Sequence, residues 1–222
     1  MANNKKPLGV KKSEAREWIE SIVVALLLAI VIRSYFIQPF KIPSGSMRMT
    51  LIEGDHLFVS KYMYGPILLP EIHTPEFLNK VIKQDIQWPD ALIPLTKIRL
   101  PGLTKPKHGD VIVFIFPDDR TKDFIKRLIG LPGDVIEIKD GKIYINGALF
   151  DDPRLRNIYY YNRGEFGAID TPIKVPEGKY FVLGDNSASS HDSRYWGFVD
   201  KNDLLGRAEF IFWPFNRARI IK

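Results

Sequence analysis

One stretch limits what the rest of the chain can be. From Trp18 to Ile37 it reads WIESIVVALLLAIVIRSYFI; Ile22 to Ile32 is unbroken apolar, and Glu20 and Arg33 interrupt the ends. Trp18 and Tyr35 stand where interfacial aromatics would. A helix needs about 20 residues to cross a bilayer, and this run meets that length if its charged ends snorkel. A cleavable leader is the main competitor, because the apolar centre is short. No A-x-A-like site follows, however, and the next residues (Tyr35, Phe36, Phe40) are large. A buried globular helix is the other competitor, and the abrupt basic leader counts against it. Residues 1–16 carry Lys5, Lys6, Lys11, Lys12 and Arg16 against Glu14, which puts +4 of the formal +6 charge ahead of the run. That excess places the N-terminus in the cytoplasm, an uncleaved span at 18–37, and residues 38–222 outside.

Beyond the span the remaining charge is close to balanced, with no basic run interleaved with aromatics, so nucleic acid is not expected as a partner. There are no cysteines, which excludes disulfides and thiolate metal sites. Apolar content of 45% over 222 residues suits one folded domain with room for a small lobe. Its pattern is β. After the Gly54-Asp55 turn, Leu57, Val59 and Lys61 alternate with Phe58, Ser60 and Tyr62. Val111–Phe116, Lys122–Ile129, Lys179–Leu183 and Arg207–Trp213 read as further strands. Val135–Lys139 and Lys142–Ile145 flank Asp140-Gly141, the strongest hairpin signal in the chain. Residues 65–107 differ, with seven prolines from Pro66 to Pro106 and room for one short helix at Glu76–Asp85. They read as an insertion of about 65–107. The expected fold is mostly β: one N-terminal transmembrane helix, then an all-β domain of barrel or sandwich type.

Directly after the span comes Ile42-Pro-Ser-Gly-Ser-Met47, two small hydroxyl residues about a glycine. Such a turn can hold a serine hydroxyl in the open, next to a backbone N–H and a second hydroxyl. The hexapeptide alone favours an ordinary turn, and a serine is a poor nucleophile unless a base adjoins it. Lys126 is one candidate base. Strand alternation puts it on the face of Phe124 and Leu128, with Arg127 on the other beside Ile125 and Ile129. A buried amine loses proton affinity and can then act as a general base, although a lysine snorkelling from a strand edge is the commoner outcome. The histidines are rivals. His191-Asp192 could be written into a Ser-His-Asp set, but adjacent residues diverge on a strand. His56, His73 and His108 lie in turn or loop contexts without metal-ligand spacing. The Gly-Asp pairs at 54–55, 109–110 and 133–134 read as turns.

Four blocks, in this order behind an anchor, carry a resemblance. They are Pro43-Ser-Gly-Ser-Met47; Gly54-Asp55 with its strand; Phe124-Ile-Lys-Arg-Leu-Ile-Gly-Leu-Pro-Gly-Asp134; and Gly184-Asp-Asn followed by Ser190-His-Asp-Ser-Arg-Tyr-Trp-Gly-Phe198. Together they resemble the type I signal peptidases (leader peptidases), the bacterial membrane-bound serine proteases, with the insertion as the poorest match. The resemblance implies Ser46 as nucleophile, Lys126 as general base, and an oxyanion hole from the Ser44 hydroxyl and the Ser46 N–H. It implies Ser190 as the residue orienting the lysine, Asp192 and Arg194 as an ion pair holding that loop, and Gly184 and Asp185 at its start. Arg127 is expected to be structural. Ile42, Met47, Leu51 and Ile125 would line shallow apolar pockets for small side chains at −1 and −3 of the cleavage site. No metal or organic cofactor is implied. The partners are preproteins bearing signal peptides and the lipid bilayer; the place is the bacterial cytoplasmic membrane. Met49 stands where the family commonly has proline, and one span precedes the serine where some relatives have two. Two alternatives stay open: a specialised Ser-Lys peptidase for pilus or conjugation precursors, and a membrane-tethered β domain that only binds peptides.

Overall fold

The computed structural model describes residues 14–67 and 98–221. The helix expected at Glu76–Asp85 and most of the insertion lie outside them. Helix α1 spans Glu14–Val31 and passes through a π-helical turn, Ile32–Phe36, straight into strand β1, Ile37–Lys41. It therefore starts before Trp18, and Ile37 belongs to the sheet. Glu14 and Glu17 in the first turn complement the N-terminal end of the helix dipole, and Arg16 Nε meets Glu20 at 2.9 Å one turn on. No residue of α1 is buried against the rest of the chain. Glu14–Phe36 is 23 residues, roughly 34 Å at about 1.5 Å each, enough to cross a hydrocarbon core. The helix is wide enough in its last turn for Ile37 N–H to reach back to the Ile32 carbonyl.

The remaining strands are β2 (His56–Ser60), β3 (Val111–Ile115), β4 (Asp123–Gly130), β5 (Val135–Lys139), β6 (Lys142–Ile145), β7 (Ala148–Leu149), β8 (Ile173–Lys174), β9 (Lys179–Leu183), β10 (Val199–Asp200), β11 (Leu204–Trp213) and β12 (Arg219–Ile220). A large antiparallel sheet has the order β1-β2-β11-β3-β4-β9-β10, with β12 on β11; a small one has β7-β6-β5-β8. Register shifts along β11, at Leu204/Gly206, Ala208/Phe210 and Ile211/Trp213, bend the large sheet into a curl. The Asp140-Gly141 hairpin is as expected. Both residues take positive φ (52° and 73°), the geometry of a two-residue turn matched to strand twist.

The sheets enclose their apolar side chains in three groups. One, under β1, β2 and β11, contains Ile42, Met47, Leu51, Leu57, Val59 and Ile211. A second lies beneath the small sheet around Ile136, Ile143 and Phe181, and a third joins Ile112, Phe114, Leu128 and Val182. The insertion is tied at its base. Ile67 bridges Arg99, and the Arg99 guanidinium donates to the carbonyls of Gly65, Lys201 and Leu204. Gly65 has no substitute there, since a Cβ would sit 1.9 Å from the Leu100 oxygen at φ +86°.

Two strand edges near Ser46 lie open among the described residues. β1 pairs only with β2. β4 pairs along β3 from its first residue, but its bonds to β9 begin at Arg127. The outer side of β1 and the part of β4 just before Arg127 therefore have no strand beside them among the described residues.

Candidate active site

Pro43 and Ser44 leave the chain extended, and Gly45–Met47 then close a 3-10 turn. The turn is held from below by Met47 and Leu51 in the core, and by Thr50 and Leu51 N–H bonds to the Met47 carbonyl. On its other side, Asn186 N–H donates to the Ser46 carbonyl (2.9 Å) and Asn186 Nδ2 to the Gly45 carbonyl (2.9 Å). This double clamp fixes the direction of the Ser46 side chain.

Strand β4 brings Lys126 to that turn across 80 residues of sequence. Its Nζ lies 2.6 Å from Ser46 Oγ and donates to the Ile125 carbonyl at 3.1 Å. Lys126 is 3% exposed and Ser46 7%. The serine hydroxyl is therefore enclosed against the amine rather than held in the open, and Ser44 is the exposed member of the pair. Burial brings the lysine down from 10.5 to about 8, against the opposing pull of Asp192 and Asp185. The Phe124 ring, 5.2 Å from Nζ, forms part of the apolar wall.

Those two carboxylates are each matched by an arginine. Asp185 takes two bonds from Arg127 (2.8 and 2.6 Å) and Asp192 two from Arg194 (2.8 and 2.9 Å), and all four side chains are fully buried. Thr50 donates to Asp185, and Arg127 also reaches the Gly109 carbonyl. Asp192 caps Ser193–Trp196 and accepts the Gly184 N–H. The arrangement puts two neutralised carboxylates behind one desolvated amine.

Several expectations are modified. Ser190 Oγ is buried without a hydrogen-bond partner and makes no bond to Lys126; its hydroxyl faces Gly184 instead. Met47 and Leu51 have no exposed surface, and Ile42 very little, so they form the floor of the turn. Ile125 and Phe40, half-buried, are the apolar walls beside it. His191 is exposed, its ring against Phe116 and Tyr195, while its neighbour Asp192 points into the core. His108 Nε2 meets Asp134 at 2.7 Å, joining the two sheets. The Gly-Asp turns carry more than turn geometry, since Asp55 is buried and receives Arg217 through two bonds. Met49 lies exposed on a turn that closes around it, so the missing proline leaves the serine turn intact. Sequence reasoning misses Asn186 and Thr50; the triplet Gly184-Asp-Asn is the signal that points toward the first.

Gly184 is packed tightly against the serine turn. A Cβ there would lie 2.1 Å from Ser190 Oγ and 2.6 Å from the Ser46 carbonyl oxygen. Gly184→Ala is expected to displace the serine turn and lower turnover at least about tenfold, with a loss of about 1–3 kcal/mol by overpacking. Steady-state rates and a thermal melt on the same preparation check it; unchanged kcat would refute the contact.

A serine hydroxyl bonded to a buried amine is the pairing of serine hydrolases that use lysine in place of histidine. The family model described as signal peptidase, peptidase S26, matches residues 15–213. Signal peptidase I of Bacillus licheniformis is 35% identical over 217 residues, covering 94% of each chain. Signal peptidase I P of Bacillus subtilis subsp. natto is 34% identical, covering 96% of each. A probable signal peptidase I-2 of Synechocystis is 34% identical, over 95% of this chain and 82% of the relative. A crystal structure of a signal peptidase I from Enterococcus faecalis V583 matches at 38% identity and a TM-score of 0.40, over 46% of this chain and 96% of that one. The chain belongs to the signal peptidase S26 family, and it is a serine endopeptidase.

Proposed function

We propose that the protein removes N-terminal signal peptides from secreted preproteins at the outer face of the cytoplasmic membrane, through an acyl-enzyme formed by Ser46 and Lys126. The observation that carries this is the 2.6 Å approach of Lys126 Nζ to Ser46 Oγ inside an apolar enclosure. Neutral Lys126 takes the Ser46 proton as the oxygen attacks the scissile carbonyl. The Ser46 N–H lies in the first turn of the 3-10 segment Gly45–Met47, where N–H groups have no acceptor within the helix, and with the Ser44 hydroxyl it can meet the developing oxyanion. The protonated lysine then hands its proton to the departing amine, the mature chain leaves, and water completes hydrolysis. A cleavage segment added as a strand between the open edges of β1 and β4 would pass Ile42 and Ile125 before reaching Ser46. Ser190 and the Asp192–Arg194 pair support the loop behind the lysine, as Asp185 and Gly184 do at its start.

The location rests on α1 and on an exposed apolar band beside it. Phe36 and Ile37 at the helix exit, Phe58, Phe210, Trp213 and Ile220 on neighbouring strands, and Phe215 in the turn after β11 are all exposed. Such a patch suits a bilayer surface, and the basic residues ahead of the helix suit a cytoplasmic N-terminus.

Detergent-solubilised protein should cleave a precursor with an ordinary signal peptide at its −1 position, and Ser46→Ala should not, while His191→Ala should cleave normally. Failure of the folded wild type would favour the specialised peptidase or the peptide-binding domain. Because the base must be neutral, kcat/KM should rise about tenfold per pH unit below about 8 and level off above it. A profile breaking near 6.5 would assign the base to histidine instead.

A further inference from the structure

The three consecutive tyrosines at 159–161 take no part in the acyl transfer. Their alternation splits them: Tyr160 is buried, whereas Tyr159 is 58% and Tyr161 41% exposed. The two outer rings meet edge to face at 5.0 Å, and the Arg163 guanidinium lies 4.9 Å from the Tyr161 ring while donating to the Ala188 carbonyl. This is an exposed, angled aromatic shelf with a cation at its end. The shelf is fixed by main-chain bonds, since Tyr161 N–H donates to Ser187 Oγ (3.0 Å) and Arg194 donates to the Tyr161 carbonyl (2.8 Å). Ser187 follows Asn186, whose N–H holds the Ser46 carbonyl. Two hydrogen bonds and one residue therefore separate the serine turn from the shelf.

Direction identifies the occupant. β1 begins at the end of α1 and leads to the serine turn, and Asn186 of the 186–190 loop abuts that turn. A peptide coming from the bilayer meets β1 first, Ser46 second and the 186–190 loop third. What passes this loop is the part beyond the scissile bond. We infer that the Tyr159–Tyr161–Arg163 shelf binds the first residues of the mature chain as an extended segment, from about the third residue after the cleavage point at roughly 3.3 Å per residue. Tyrosine suits such a role: it offers a large contact area, loses little rotamer freedom and has a hydroxyl that can bond a passing main chain. Substrate affinity then depends on residues that the enzyme releases with the product.

The inference rests on the proposed peptidase activity, and its test separates the two. Wild type and the Tyr159→Ala/Tyr161→Ala double variant are compared on a full-length precursor and on a peptide of the same signal sequence ending at the second mature residue. The double variant should raise KM about tenfold on the long substrate and change it less than twofold on the short one. Tyr161→Phe should restore most of the loss. Equal losses on both substrates, or none on either, would overturn the shelf while leaving the peptidase standing. No cleavage of either by wild type would overturn the activity itself. Both bonds fixing the shelf are main-chain at Tyr161, so the variants should melt with wild type. Should they not, a photo-crosslinker at the third mature residue of the long substrate, mixed with Ser46→Ala enzyme, should label residues 159–163. Labelling confined to other segments would refute the assignment.

Discussion

Lys126→Met is expected to lower cleavage by about 10³–10⁴-fold while leaving the protein at least as stable as wild type. The rate loss follows because Lys126 is the one base within reach of Ser46 Oγ among the described residues, and general-base assistance contributes about 10²–10⁴-fold. The stability half is the more discriminating. Lys126 is 3% exposed, and its depressed proton affinity reflects an amine held out of water. Methionine keeps the length and apolar stem and removes the buried nitrogen, so the enclosure loses nothing it needs for packing. Initial rates and urea melts on one preparation would decide. A variant that cleaves within tenfold of wild type moves the base elsewhere. One that unfolds makes the lysine a structural residue.

The second large effect belongs to Arg127, which never touches the hydroxyl. Both partners of its pair with Asp185 are fully buried, and Arg127→Met would leave that carboxylate with Thr50 as its remaining side-chain donor. Breaking one side of such a pair costs about 3–5 kcal/mol, or on the order of 10 °C in Tm for a chain of this size. A second readout distinguishes this from a generic packing defect. Asp185 already pulls the Lys126 proton affinity upward, and an uncompensated charge there would pull harder. The pH–rate profile should therefore move to the alkaline side. Adding Asp185→Asn should return it and recover part of the stability, giving the coupling by a double-mutant cycle. A normal profile at reduced Tm would confine Arg127 to packing.

What could be read from the sequence was what is local. The Asp140-Gly141 hairpin needed only two residues with positive φ between apolar alternations. β3 needed only its unbroken run Val111–Ile115, and the helix only its composition. Boundaries failed where tertiary bonds decide them: Ile37 looked like the last apolar residue of a span, but pairing with Ser60 makes it the first of a strand. The site divides the same way. Strand parity put Lys126 and Arg127 on opposite faces, yet nothing local states that Lys126 faces residue 46 or that Arg127 faces residue 185. The idea of an open serine failed because enclosure is made by β4, far away in sequence. Ser190 came from resemblance alone, and its hydroxyl has no partner in the structure. Asn186 escaped because an asparagine after Gly-Asp is an ordinary turn residue until the carbonyls it clamps are known.

On the proposed function, the join between α1 and β1 would limit which precursors can be selected. The π-turn ends at Phe36 and the strand starts at Ile37, and the Phe36 carbonyl accepts the Lys61 N–H from the end of β2. No linker separates the two, so the sheet has no swivel with which to adjust its elevation. The chain from Ile37 to Ser46 can span at most about 30 Å, which caps how far above the helix exit the Ser46 hydroxyl stands. In a bilayer the enzyme would then measure its clients by reach. A precursor whose polar stretch is too short cannot raise its scissile bond to the serine, however well its side chains fit. Site choice would then become partly a matter of altitude, set by ten residues of backbone and not by a pocket.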